Sequence, residues 1–287
     1  MSFDAFCRAH GLIVDSLEVG RWVRTATTDH PRTKNGAYKY LGDVGFVQNH
    51  ATMTDVAVWR TDRPDAQPVD MTRIHAQVAE QEQRQRDGWI RSAQRAEELR
   101  RASKQAEHGY LQIKGFGDMR GLVLEDGALM VPMRHLHTNA LVGAQFIRWL
   151  PEEMKYEKKM LPGMRAKGAV FRLGSPTATR TWLVEGYATG LSVEAAVRLL
   201  RLRDSVLICF SAGNLIHVAT QLKGRAVVFA DNDVSGAGLR AAQATGLPYC
   251  MADTVGHDAN DMHKDRGIFA VASLMLDATV EGVAAVT

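Results

Sequence analysis

Apolar and polar positions change rhythm three times along the chain. The first stretch predicts a short helix over 3–10 and short strands around 37–41, 45–47 and 56–59, punctuated by Gly36, Gly42 and Gly45. Residues 61–68, with Pro64 and Pro68 among Asp and Arg, read as a linker. Asp70 or Thr72 then caps a long polar helix running to about 107; its apolar positions are sparse and Gly88 interrupts it, so it is expected as an arm or brace. From Tyr110 the chain reads as short strands at 122–124, 129–133, 141–147 and 169–173, separated by turn residues and basic side chains that include Lys158 and Lys159 ahead of Pro162-Gly163. From Thr181 onward, apolar strands (181–184, 205–210, 226–230, 248–251) alternate with amphipathic helices (192–202, 213–222, 237–245). Strands apolar throughout and separated by such helices predict a parallel sheet covered on both faces, with ligands beyond the carboxyl ends of the strands.

The rhythm divides the chain into a small N-terminal α+β module (1–66), a helical arm (67–108), a basic and mainly β stretch (109–178) and a C-terminal α/β domain (179–287). The predicted class is α/β. No apolar run of the length needed to span a bilayer occurs, and the N-terminal residues have no basic-then-apolar leader pattern, so a cytoplasmic protein is expected. Cys7, Cys209 and Cys250 are scattered and odd in number, which argues against a disulfide framework. The net charge of +3 conceals a division. Residues 1–83 carry −2, residues 84–180 carry +8 and residues 181–287 carry −3, so a basic middle stands beside an acidic end. Such a division fits a polyanion track next to a metal site, or simply long Arg-rich helices with solvated faces.

Glu185 directly follows the strand at 181–184 and precedes Gly186; Asp231 and Asp233 follow the strand at 226–230 in the order Asp-Asn-Asp-Val-Ser-Gly-Ala-Gly. Residues two apart on an extended chain point the same way, so both aspartates are expected to face one point. Carboxylates gathered like this repel unless a proton or cation compensates, and hard oxygen donors suit Mg²⁺ or Mn²⁺. The plainer alternative is that each is a helix N-cap at a strand end.

Glu-Gly after one strand and Asp-x-Asp-x-x-Gly after a later one resemble the Toprim signature. That domain is a small parallel sheet flanked by helices, shared by bacterial-type primases, topoisomerases, an RNA-maturation nuclease and the overcoming-lysogenization-defect nucleases. Asp258-Ala-Asn-Asp261 is similar to the acidic tripeptide after the last Toprim strand in primases, with Asn260 where an acidic residue is often seen. The resemblance implies that Glu185 serves as general base or acid, helping to deprotonate an attacking 3′-hydroxyl. It implies that Asp231 and Asp233, with Glu185, Asp258 and Asp261, hold Mg²⁺ or Mn²⁺ for phosphoryl transfer.

Within the Toprim proteins, the basic stretch points to primases. Tyr110-Leu-Gln-Ile-Lys114, Leu129-Met-Val-Pro-Met-Arg134, Leu141-Val-Gly-Ala-Gln145-Phe-Ile, Lys158-Lys-Met-Leu-Pro-Gly163 and Gly168-Ala-Val-Phe look like the basic half of a primase core. Lys34-Asn-Gly-Ala-Tyr-Lys-Tyr through Val58-Trp59-Arg60 resembles the small leader domain of primases from phages, satellite phages and plasmids. Lys114, Arg134, Lys158, Lys159 and Arg172 are then candidates for phosphate contacts and Gln145 for a polar contact to nucleotide. The implied partners are single-stranded DNA, ribonucleoside triphosphates and a separate helicase, since no P-loop motif occurs in the chain. Bacterial primases usually begin with a zinc ribbon, yet no Cys-x-x-Cys pair is present. Cys7-Arg-Ala-His10 with His30 or His50, and His135 with His137, have chelating spacings, but zinc is not expected. The competing readings are a Toprim-type metal-dependent nuclease and a non-catalytic single-strand-binding replication factor.

Overall fold

The computed structural model describes residues 1–53, 55–61 and 71–284, so Asp70 and most of the expected linker lie outside the described residues. The backbone divides into two units, Met1–Arg86 and Asp87–Thr287. In the first, helix α1 (Phe3–Ala9) is capped by Ser2, whose hydroxyl accepts from the Ala5 amide. Strands β1 (Trp22–Thr25), β2 (Gly36–Tyr40), β3 (Val44–Asn49) and β4 (Ala57–Arg60) form an antiparallel sheet in sequence order. Phe3, Cys7, Leu12, Tyr38, Val47 and Trp59 fill its core. Strand β1 was not expected: Trp-Val-Arg-Thr alternates, but over too few residues to stand out.

Helix α2 (Met71–Ala102) stops before the expected position 107, because Lys104–Ala106 pair with the sheet as strand β5. Ala96 and Leu99 pack with Leu124, Ala128, Met130, Ala144 and Phe146. Most charge on this helix is satisfied along it: Arg84–Glu80, Arg86–Glu82, Arg95–Glu98, and Arg100 and Arg101 with Glu97.

The second unit is built on one mixed sheet. Its antiparallel part contains β5, β6 (Gly121–Val123), β7 (Leu129–His135), β8 (Leu141–Leu150), β9 (Lys155–Met160) and β10 (Ala169–Leu173). Its parallel part contains β11 (Arg180–Val184), β12 (Asp204–Ile208), β13 (Arg225–Ala230) and β14 (Tyr249–Met251). The main path runs β14-β13-β11-β12-β10-β7-β6-β5, with β8 and then β9 added on β7. Strand β10, antiparallel to both β12 and β7, joins the two parts. Helices α3 (Gly109–Ile113), α4 (Tyr187–Leu199), α5 (Ala212–Ala219), α6 (Ala237–Ala244), α7 (Ala259–Arg266) and α8 (Ile268–Ala284) complete the unit.

The alternation of side chains across the parallel strands divides the core in two. Trp182, Val184, Val206, Ile208, Val227 and Phe229 pack with Leu191 and Val197 of α4, Met262 of α7 and Val271 and Met275 of α8. Leu183, Leu207, Val228 and Ala230 pack on the opposite face with Leu215 and Val218 of α5 and Ala242 of α6. At the amino end of the sheet, buried Asp204 accepts from Trp182 Nε1 at 2.9 Å and from Arg180 Nε at 2.8 Å. Among the described residues, no helix is long and apolar enough to cross a membrane.

Candidate functional site

Strands β11 and β13 are parallel neighbours with Leu183 opposite Val228, so their carboxyl ends deliver Glu185 and Asp231 to the same rim of the sheet. Glu185 begins the turn into α4, and Thr189 of that helix, fully buried, lies against two carboxylates. Its hydroxyl is 3.0 Å from Asp258 Oδ2 and 3.4 Å from Asp231 Oδ1. Asp258 follows β14 and caps α7, accepting from the amides of Asn260 at 2.7 Å and Asp261 at 2.9 Å. Asp261 completes a capping box by accepting from the Asp258 amide at 3.3 Å. Asn232 ties the two loops together, its side chain donating to the Ala252 carbonyl at 2.9 Å and its amide to that of His257 at 3.1 Å.

Burial, then the charges of Asp258 and Glu185, raise the Asp231 carboxyl to about 7, against the opposing pull of Lys158 and Thr189. Glu185 is also pushed above its ordinary value, first by burial and then by Asp233, with Lys158 opposing. Asp233 moves the other way. The Ser235 hydroxyl and the Gly238 amide at 2.7 Å, with the Ala237 amide at 3.2 Å, hold it well below the usual carboxylate range. The site thus contains carboxyls of raised proton affinity, Asp231 at about 7, beside one that stays ionised. Divided proton affinities of this kind are what acid–base and metal chemistry require.

The two aspartates are held differently: Asp231 lies against the Thr189 hydroxyl, whereas Asp233, which also acts on Glu185, is engaged by helix amides. The backbone turns after Asp233, and the free amides at the start of α6 draw its carboxylate into a cap. Among the described residues, no group of three or more His, Cys, Asp or Glu side chains is arranged to hold a metal ion unaided. The donor set nevertheless fits a hard divalent cation that keeps waters and shares its coordination with phosphates. Asp231, Glu185 and Asp258 are hard oxygen donors in excess of nearby positive charge. The Tyr110 hydroxyl, close enough to feel Asp258 and Asp261, is buried without a hydrogen-bond partner.

Two of the candidate cations reach this cluster. Lys158 on β9 enters the electrostatics of both Glu185 and Asp231, with its Nζ 5.5 Å from the centre of the Tyr110 ring. Lys114, at the end of α3, places Nζ 3.9 Å from Asp261 Oδ1, while its carbonyl accepts from Asn260 Nδ2 at 2.8 Å. Gln145 is buried on β8 between Val131 and Met160. The other three have partners elsewhere: Lys159 pairs with Glu157, Arg134 donates to the Asn139 carbonyl, and Arg172 donates to Ser205 Oγ, its burial lowering the guanidinium pKa. Sequence reasoning missed Thr189, Asn232 and Tyr110. The first two adjoin the acidic motifs, Thr189 one helical turn beyond Glu185 and Asn232 between the aspartates. Nothing in the sequence marks Tyr110 as part of the cluster.

The cysteine and histidine spacings lead elsewhere. Cys7 is fully buried in the N-terminal core, where burial pushes its thiol up to about 12, and His10 Nδ1 lies 2.8 Å from the Phe6 carbonyl. His135 and His137 sit with ring centres 5.9 Å apart, and His137 Nε2 meets Gln221 Oε1 at 3.0 Å.

Fold and site together define a mixed α/β protein with carboxylates gathered at the carboxyl rim of a parallel sheet. No family model and no curated protein matches the chain. Among solved structures, it is similar to a chain of the bacteriophage T7 assembly in which lagging-strand DNA polymerase interacts with primase domains of two gp4 subunits bound to an RNA/DNA hybrid and dTTP. There the TM-score is 0.41 at 14% identity, covering 61% of this chain and 91% of that one. The DnaG catalytic core gives a TM-score of 0.38 at 15% identity, covering 61% of this chain and 66% of that one.

Proposed function

We propose that the chain is a DNA primase, joining ribonucleotides on a single-stranded DNA template by metal-dependent nucleotidyl transfer. The observation that carries this reading is the gathering of half-buried Asp231 with Glu185 and Asp258 around Thr189 at one rim of the sheet, with Lys158 opposed to them. It is supported by the sequence resemblance of the Glu-Gly and Asp-x-Asp motifs to Toprim and of the preceding basic stretch to primases. In this reading residues 1–66 are a leader module and 67–108 an arm. Residues 109–178 guide template and nucleotide, and 179–287 form the Toprim catalytic domain.

Glu185, Asp231 and Asp258 would hold Mg²⁺ or Mn²⁺, with Asp233 and Asp261 adding negative charge beside them; when bound, the ion supplies neutralisation of triphosphate charge. Glu185, half-buried and with raised proton affinity, is placed to take the proton of an attacking 3′-hydroxyl. Asp233 keeps its charge through its cap and holds the turn that positions Asp231. Lys158 and Lys114 offset the carboxylates and are left to meet phosphate when nucleotide enters. Gln145, Arg134, Lys159 and Arg172 belong to the nucleic-acid face in this reading, at greater remove from the chemistry. A separate helicase is the expected partner.

The test is incorporation of labelled ribonucleotides on single-stranded DNA with Mg²⁺ or Mn²⁺, comparing the wild type with Asp233→Asn. Short labelled products lost in the variant are expected. Metal-dependent degradation of the template, with no products, would replace this reading with that of a nuclease.

A further inference from the structure

One face of the β8–β9 hairpin leads from solvent to the carboxylates. The register pairs Trp149 with Tyr156, Ile147 with Lys158, and Gln145 with Met160. Alternate residues of a strand share a face, so these six side chains lie on one side. Ile147 is fully buried in a core that includes Tyr110 and Leu111, which identifies that side as the one covered by α3. Lys158 stands over the Tyr110 ring and acts on Glu185 and Asp231.

Two residues nearer the hairpin tip, Tyr156 is locked in place. Its ring centre is 5.4 Å from that of Tyr110 and 5.7 Å from that of His108. Gly109 leaves room for its hydroxyl, since a Cβ at that position would overlap it. Trp149 leans on this fixed ring with centres 5.0 Å apart and planes inclined at 59°, yet is itself 48% exposed. Single exposed aromatics are common on protein surfaces. This one differs in being braced from behind by an aromatic chain that ends at the site's lysine.

We propose that Trp149 is a stacking platform for a base of single-stranded nucleic acid entering the site, an inference that rests on the primase reading. Two residues along a strand separate Trp149 from Ile147, the partner of Lys158; that is about 7 Å, the span of roughly two stacked nucleotides. A strand stacked on Trp149 therefore reaches the lysine and the carboxylates within a few nucleotides. On the ring's own face the next charge inward is the Lys158 ammonium, two residues along β9 from Tyr156, which suits a polyanion more than an apolar protein surface. Arg148 and Lys155 alternate onto the opposite face, where they pair with Asp126 and Glu153. A braced aromatic with a lysine farther along the same face suits single strands bound without reading their sequence.

The experiment measures affinity by fluorescence anisotropy for a short labelled oligothymidine and for the same strand made abasic, over a range of salt. Trp149→Ala is expected to weaken oligothymidine binding roughly 5- to 100-fold. It should leave the slope of log affinity against log salt unchanged, because stacking neutralises no phosphate. It should also leave the abasic strand's affinity as in the wild type, and Trp149→Phe should recover most of the loss. The half-exposed position makes both variants foldable, which far-UV circular dichroism verifies. Equal affinities for wild type and Trp149→Ala, or equal losses on both strands, would overturn the proposal, assign the ring to another partner and leave the primase reading in place. A wild type that binds no single-stranded DNA at any salt would overturn both.

Discussion

Asp231 is the residue on which most of the site's electrostatics converge. Its carboxyl, raised from an ordinary 3.8 to about 7, binds its proton more tightly in the folded protein than in the unfolded chain. The associated stability is fully present below pH 4 and is lost as pH rises through 7. Asp231→Asn should therefore stabilise the protein at pH 8, by on the order of a few kcal/mol. The advantage should vanish near pH 4. Urea unfolding of both proteins at the two pH values measures it, and an equal or lower stability of the variant at pH 8 would contradict the assigned burial and repulsion. The same residue shows what sequence could convey. Motif spacing placed Glu185, Asp231, Asp233 and Asp258 as a group, because each terminates a strand or opens a helix. It offered the helix cap as the plainer alternative but could not assign it to Asp233 in particular, since that depends on where the chain leaves the strand direction. Nor did it convey Tyr110, whose hydroxyl reaches the acidic residues only through the packing of α3.

Among the elements, the parallel strands were legible and the polar edge strand was not. Strands β11, β12 and β13 each end in an apolar run, so their type follows from composition. Lys-Tyr-Glu-Lys-Lys-Met of β9 reads as a charged turn, because an edge strand exposes much of its length and keeps few apolar positions. The start of α4 was placed five residues late for the opposite reason. Residues 187–193 are all buried and so show no polar stripe for a period to reveal. At the start of α6, the helix approaches the Asp231 carbonyl so closely that a Cβ on Gly238 would overlap it. Gly238→Ala should displace that helical turn, at a cost of about 1–3 kcal/mol, and loosen the amide that Asp233 accepts. Chemical denaturation checks the first effect. The second should appear as a rise in the Asp233 pKa in carboxyl-resolved NMR; an unmoved value would show that the cap does not depend on this contact.

At the scale of the whole molecule, the basic middle third is less basic in effect than in count. Much of its arginine lies on α2, paired with glutamates of the same helix. What faces the carboxylates is a pair of lysines, Lys114 from the end of α3 and Lys158 from β9 of the antiparallel part of the sheet, while the parallel part supplies the acids. Strand β10 makes this juxtaposition possible by joining the two parts into one sheet. Sequence rhythm separated the two parts but gave no sign that they share hydrogen bonds, because antiparallel joining across a long separation leaves no local pattern.

The central claim is that these carboxylates hold a divalent cation jointly with a nucleotide's phosphates. Its most direct test is a Mn²⁺ titration followed by electron paramagnetic resonance, with wild type and Asp231→Asn, each with and without a ribonucleoside triphosphate. The account predicts that wild type depletes the free Mn²⁺ signal, and does so more strongly when protein and triphosphate are together than the two apart. Asp231→Asn should lose that synergy. Equal depletion by the two proteins would show that Asp231 holds no metal and would contradict the account.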